Sequence, residues 1–208
     1  MTLGPSVCVV GARVLRARRR GGQCGRKARR GAGLLDSTRE DWQTTWELNG
    51  GHAVRAVRAG LPHLRVGSSV VLVSSISGWK PRFPAQYGAA KAAEIYLTGA
   101  LCQELAPQRV RVNTVSPGSI LLPGKSWDRL RQRDPEAFAA YAARNPNGRL
   151  LNADEVARVI AFLLSPASCA VNGAHVPVDG GQHQAGLHPA PPSHPDPSAS
   201  PGSTTRPR

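Results

Sequence analysis

The sequence has no apolar run approaching the roughly 20 residues that a membrane-spanning helix needs, so nothing in it reads as a membrane span. Aromatic residues are scarce, at 5% of 208, and there is one methionine. Acidic residues are outnumbered, with 13 Asp/Glu against 27 Lys/Arg and a formal charge of +14. Such a charge ordinarily points to a nucleic-acid partner. Its distribution argues otherwise. Residues 1–35 hold nine of the bases and no acid, whereas residues 36–185 hold sixteen bases and twelve acids. The body is only mildly basic. The arm, from Arg13, Arg16 and Arg18 to Arg29 and Arg30, has no interleaved aromatics on which bases could stack. It reads as a disordered arginine-rich extension, with a phosphate-binding arm or a mitochondrial presequence as alternatives. A secretory signal does not fit, because the apolar residues 7–10 precede the charges instead of following them.

Cys8, Cys24, Cys102 and Cys169 lack metal-ligand spacing. They read as free thiols in a reducing compartment, which points to the cytoplasm. His175, His183 and His188 do not make a metal cluster either, so no metal site is expected.

What is present falls into three zones: a Gly/Arg-rich arm (1–35), a regularly patterned body (36–182) and a Pro/Ser-rich tail (183–208) expected to be disordered. Within the body, the pattern predicts a helix from Asp41 to Leu64. The four consecutive β-formers Val70 to Val73 predict a strand buried on both faces. A long alanine-rich helix from Ala85 to Leu105 follows, stopped near Pro107. Val110 to Val115 predicts a second strand, and residues 126–143 one or two polar helices. Asn152 and Glu155 have capping-box spacing ahead of a helix to Leu164. Val176 to Val178 predicts a last strand, at an edge because of Pro177. Alternating strands and helices mean an α/β layered fold with a parallel sheet.

Tyr87 and Lys91 stand four apart and so share one helix face. A free tyrosine, with a pKa of about 10, is a poor base near neutrality. A nearby ammonium favours the phenolate. Ser75, at the mouth of the first strand, can donate to a substrate oxygen and orient it. Together they read as a proton-transfer site for a carbonyl or an alcohol. Singly, each has a plainer meaning: a surface tyrosine beside a solvated lysine, a strand-end serine cap, and in Asn49 a polar helix residue.

The ordered set is more specific than its members. Asn49, Ser74-Ser75-Ile76-Ser77-Gly78, Tyr87-x-x-x-Lys91 and Arg111-Val112-Asn113-x-Val115-x-Pro117-Gly118 occur in this order. Gly148-Arg149, Asp154-Glu155-Val156-Ala157, Val171-Asn172-Gly173 and Val178-Asp179-Gly180-Gly181 follow. Over residues 36–182 the chain resembles the short-chain dehydrogenase/reductases. The resemblance implies a Rossmann-like doubly wound sheet and an oxidoreductase moving a hydride between NAD or NADP and a small carbonyl or secondary alcohol. It implies Tyr87 as acid/base, Lys91 as the group that lowers the tyrosine's pKa and holds the nicotinamide ribose, and Ser75 as the carbonyl-polarising residue. Asn49 would anchor a relay water behind Lys91. Pro117 and Gly118 would line the nicotinamide pocket, with the Ile120 backbone on the carboxamide. Leu121 and Leu122 stand where the family carries a threonine. The block from Leu121 to Arg149 would cover the substrate. The helices carrying Asn49 and Tyr87 would meet a second subunit, giving a homo-oligomer.

The family's first strand runs into a glycine-rich turn that brings a pyrophosphate onto a helix N-terminus. Gly11, Gly21-Gly22 and Gly31-Ala32-Gly33 lack that strand–turn–helix context, and the family's Asn-Asn-Ala-Gly segment is absent. The reading is therefore of an N-terminally truncated Rossmann-like chain, with the Val70–Val73 strand left with an unpaired edge. The alternative to an oxidoreductase is an inactive fragment that binds intact relatives.

Overall fold

The structure is a computed structural model; it describes residues 37–81 and 84–184, Leu34, and the backbone of residues 7–10. The remainder of the basic arm and the tail beyond Gln184, including Cys24 and His188, lie outside the described residues.

Four parallel strands form one sheet in the order β1 (Val7–Val10), β2 (Ser69–Val73), β3 (Arg111–Pro117) and β4 (His175–Val178). Helices α1 (Arg39–Leu48) and α2 (Gly50–Gly60) lie between β1 and β2, and α3 (Ala85–Leu105) lies between β2 and β3. Helices α4 (Ser126–Arg133), α5 (Pro135–Ala142) and α6 (Ala153–Leu164) precede β4.

The apolar run in β2 is explained by burial on both faces. Val70 and Leu72 pack with Ala53, Ala56 and Val57 of α2, with Leu105 of α3 and with Val110 and Val112. Val71 points the other way, joining Val115, Leu151, Val156 and Leu163 on the α6 side. Adjacent strand residues face opposite sides, so a strand between helical layers buries its side chains on both faces, which favours an unbroken apolar run. At the other end of β3, Arg111 donates to the carbonyls of Leu163, Ser165 and Val171 and to Ser168 Oγ, tying the end of α6 to the sheet.

Two expectations are corrected. The helix expected from Asp41 to Leu64 is broken at Asn49, whose φ and ψ are −122° and −91°. Asn49 N–H bonds to Trp46 O, and its side-chain amide donates to Thr45 O at 2.8 Å. A Cβ at Gly50 would come within 3.0 Å of the Trp46 ring, so the break places glycine where two helices meet closely. The second correction concerns the edge of β2 facing away from β3. It is not bare: β1 pairs with it, from Val7 with Ser69 to Val10 with Leu72. Three valines and Cys8 inside the arm supply a strand that the arm's overall composition conceals.

Candidate active site

In a parallel sheet all strands end on the same side, and ligands bind in the crevice outside those ends. Ser75 follows β2, Gly118 follows β3 and Asp179 follows β4, so their segments leave the same sheet edge.

Beyond β2, Ser75 opens a 3-10 turn over Ile76–Gly78. The turn packs on α3 almost backbone to backbone. A Cβ on Gly78 would lie 2.8 Å from the Lys91 carbonyl carbon, and one on Gly88 would lie 2.8 Å from Ser77 O. Ser74 Oγ donates to Lys91 O at 2.7 Å, and Ser74 N–H donates to Val115 O. Ser75 is thus held beside the α3 turns that carry Tyr87 and Lys91. Its Oγ accepts from Ser77 N–H at 3.2 Å, which leaves the hydroxyl proton to donate elsewhere. The serine caps the turn, as its plainer reading expects, and keeps a donor.

Tyr87 is half-buried in the first turn of α3. Its neighbour Gln86 is 2% exposed, and neither polar atom of its amide has a hydrogen-bond partner among the described residues. A buried amide of this kind calls for a water or a bound polar group. Lys91 is not a solvated neighbour: it is 2% exposed. Its Nζ donates to Val73 O and to both carboxylate oxygens of Glu94, each at 2.9 Å. Burial pushes the Glu94 carboxyl above its ordinary range, against the pull of Lys91. The field of Lys91 also reaches α2: His52 is held below its ordinary value first by burial, then by Arg55 and Lys91.

At the end of β3, Pro117 is buried and Gly118 N–H donates to Val178 O at 3.0 Å. A Cβ on Gly118 would sit 2.7 Å from Asp179 Cβ and 2.6 Å from Gln182 Oε1, so only glycine fits the approach to the Asp179 turn. The Asp179 carboxylate accepts from the N–H groups of Gly181 and His183 and fixes that turn. Ile120 bridges to Leu151, but the two bonds run from Leu151 N–H to Ser119 O and from Leu121 N–H to Leu151 O. Neither uses the N–H or C=O of Ile120 itself.

The α4–α5 block is fastened to this edge by side chains that the sequence reading did not single out as a network. Tyr141 OH lies 2.8 Å from Ser119 Oγ and 3.0 Å from Gln182 Nε2, and its ring stacks on Trp127 at 4.0 Å. Trp79 lies edge-on to His175 at 5.4 Å and tilted against His183 at 4.9 Å. His175 Nε2 lies 2.8 Å from Ser116 Oγ, and burial lowers its pKa, helped by His183. These contacts join residues distant in the sequence, Ser116 with His175 and Trp79 with His183 among them, so no local signal could have revealed them.

A three-layered parallel α/β fold, with a serine-bearing turn at its strand ends packed on a helix that carries a tyrosine and a lysine, defines a class of protein. The comparisons narrow it. A family model described as enoyl-(acyl carrier protein) reductase matches residues 24–183. Isoepoxydon dehydrogenase of Penicillium expansum is 33% identical over 72% of this chain and 59% of its own length. Dehydrogenase/reductase SDR family member 6 of Rattus norvegicus is 33% identical over 71% and 62%. Among solved structures, an NADPH-bound short-chain oxidoreductase of Pseudomonas aeruginosa PAO1, described as having an atypical catalytic center, has a TM-score of 0.66 at 33% identity. That likeness covers 72% of this chain and 60% of that one. Levodione reductase also has a TM-score of 0.66, at 30% identity over 74% and 62%. The chain belongs to the short-chain dehydrogenase/reductase family, and it spans about three-fifths of the length of these relatives. Among the described residues no helix is long and apolar enough to cross a membrane.

Proposed function

We propose that residues 36–182 carry the proton-handling part of a hydride-transfer site acting on a small carbonyl or secondary alcohol with NAD or NADP. The observation that supports this most is the close packing of the Ser75 turn on the α3 turn bearing Lys91. It puts a hydroxyl donor, a phenol and an ammonium in neighbouring segments at the carboxyl edge of a parallel sheet, where such chemistry is commonly housed.

In this reading Ser75 donates to the substrate oxygen and orients it. Tyr87 gives or takes the proton at that oxygen. Lys91 stabilises the phenolate and holds the ribose hydroxyls, and Asn49 keeps a relay water behind it. A bound nicotinamide supplies or accepts the hydride. Pro117 and Gly118 line its pocket, and the N–H and C=O of Ile120, which the bridge to Leu151 does not use, suit a carboxamide, which both accepts and donates. The α4–α5 block, fastened through Tyr141, closes over the substrate. The exposed Trp46, Val54 and Tyr96, on α1, α2 and α3, suit a homo-oligomeric contact through the helices flanking Asn49 and following Tyr87.

A second reading, a non-catalytic partner of intact relatives, is favoured by one feature: Lys91 is already fully engaged by protein acceptors. Titrating the purified chain with NADH and NADPH, by fluorescence or thermal shift, separates the two. Binding is expected, and Tyr87→Phe is expected to keep it while lowering kcat by about 10²–10⁴-fold. Absence of binding at millimolar cofactor favours the second reading, and undiminished turnover by Tyr87→Phe removes the tyrosine from its role.

A further inference from the structure

The mechanism above leaves Glu94 unused, yet Glu94 holds the group that mechanism most needs. An ammonium has three N–H donors and no acceptor. At Lys91 all three have an acceptor: Glu94 Oε1, Glu94 Oε2 and Val73 O. Both side chains are 3% exposed, so water does not compete for the pair. In this arrangement no donor remains for a ribose hydroxyl or a relay water. The carboxylate also sets a negative charge against the positive one, so a group one helical turn away faces a dipole in place of a cation.

We propose that Glu94 is a positioning residue that competes with the nicotinamide ribose for Lys91 and thereby weakens cofactor binding. The proposal rests on the ribose-holding role given to Lys91 above. Glu94 is well fixed for such competition. It lies three residues after Lys91 on the buried face of α3, and Thr98 Oγ1 donates back to its carbonyl. Thr98 in turn bonds to Thr114 of β3, which locks this part of the helix to the sheet. The field of Lys91 also reaches His52 of α2, and burial disfavours the charged form of His52. Burial likewise raises the Glu94 pKa, against the pull of Lys91.

Glu94→Gln removes the charge and keeps the shape. It strands a buried ammonium, so thermal stability should fall. Affinity for NADH or NADPH should nevertheless rise, by about two- to tenfold, the worth of one or two exchanged hydrogen bonds. A merely structural role would move both in the same direction. Independently of cofactor, lysine 15Nζ NMR of the free chain should show a slowly exchanging Lys91 ammonium, identified by its loss in Lys91→Met. That protection should disappear in Glu94→Gln. If Glu94→Gln does not fold, Glu94→Asp shortens the carboxylate and should give the same changes at smaller size. Equal or weaker cofactor binding by the variant overturns the competition alone. Unchanged ammonium exchange overturns Glu94 as the holder of Lys91. No cofactor binding by either chain, with the ammonium freed in the variant, overturns the competition together with the hydride-transfer reading.

Discussion

Arg149 and Glu155 form a two-pronged ion pair, with guanidinium nitrogens 3.0 and 2.7 Å from the two carboxylate oxygens. Asn152 N–H adds a third donor at 2.7 Å, closing the start of α6. Arg149 first, and the Asn152 backbone next, hold the Glu155 carboxyl down to about 2 from an ordinary 4.5. A depressed folded-state pKa contributes stability above the unfolded value and loses it as the pH falls through the folded one. Denaturant midpoints measured across an acid series should therefore drop between about pH 4.5 and pH 2. Arg149→Gln should reduce that drop; an identical acid limb in the variant would assign it to other carboxylates. The Asn152–Glu155 pairing was legible in the sequence because its partners are three residues apart on a helix start. Glu94 was not. At residue scale it is one more polar member of an alanine-rich helix, and only the packing of α3 on β2 turns it inward onto Lys91 and brings the Val73 carbonyl into reach.

At the scale of elements, the site depends on how closely the Ser75 turn approaches α3. Gly78 permits that approach. In Gly78→Ala the new Cβ would overlap the Lys91 carbonyl, and backbone cannot swing aside as a flexible side chain can. The variant should lose about 1–3 kcal/mol of stability, read from chemical denaturation. It should also separate Ser75 from the Lys91 turn, visible as loss of the Ser74–Lys91 bond in backbone amide shifts. An unaffected variant would mean that the two backbones stand further apart. The extent of α3 followed from its sequence, since Pro84 at its start and Pro107 past its end are local signals. The break at Asn49 did not, because apolar periodicity continues across it. Conformation there is set by Asn49 bonding back to Thr45 and by Gly50 beneath the Trp46 ring.

For the whole molecule, the sheet begins with β1. Its pairing covers the edge of β2 that would otherwise present free N–H and C=O groups. Removing residues 1–10 should leave that edge open. The shortened chain is expected to aggregate or self-associate, as read by light scattering and size exclusion at equal concentration. A shortened chain that behaves like the original would show that β1 is dispensable to the sheet.

The sequence by itself determined the alternation of strands and helices, the double-sided burial of β2, and the set of Ser75, Tyr87 and Lys91. Each of these is written in local spacing or in the identity of a few residues. Only the tertiary structure decided what covers the edge of β2, how Tyr141 reaches Ser119 and Gln182, and which acceptors occupy Lys91. Those outcomes depend on contacts between distant segments, where packing sets the neighbours and burial excludes the water that would otherwise compete.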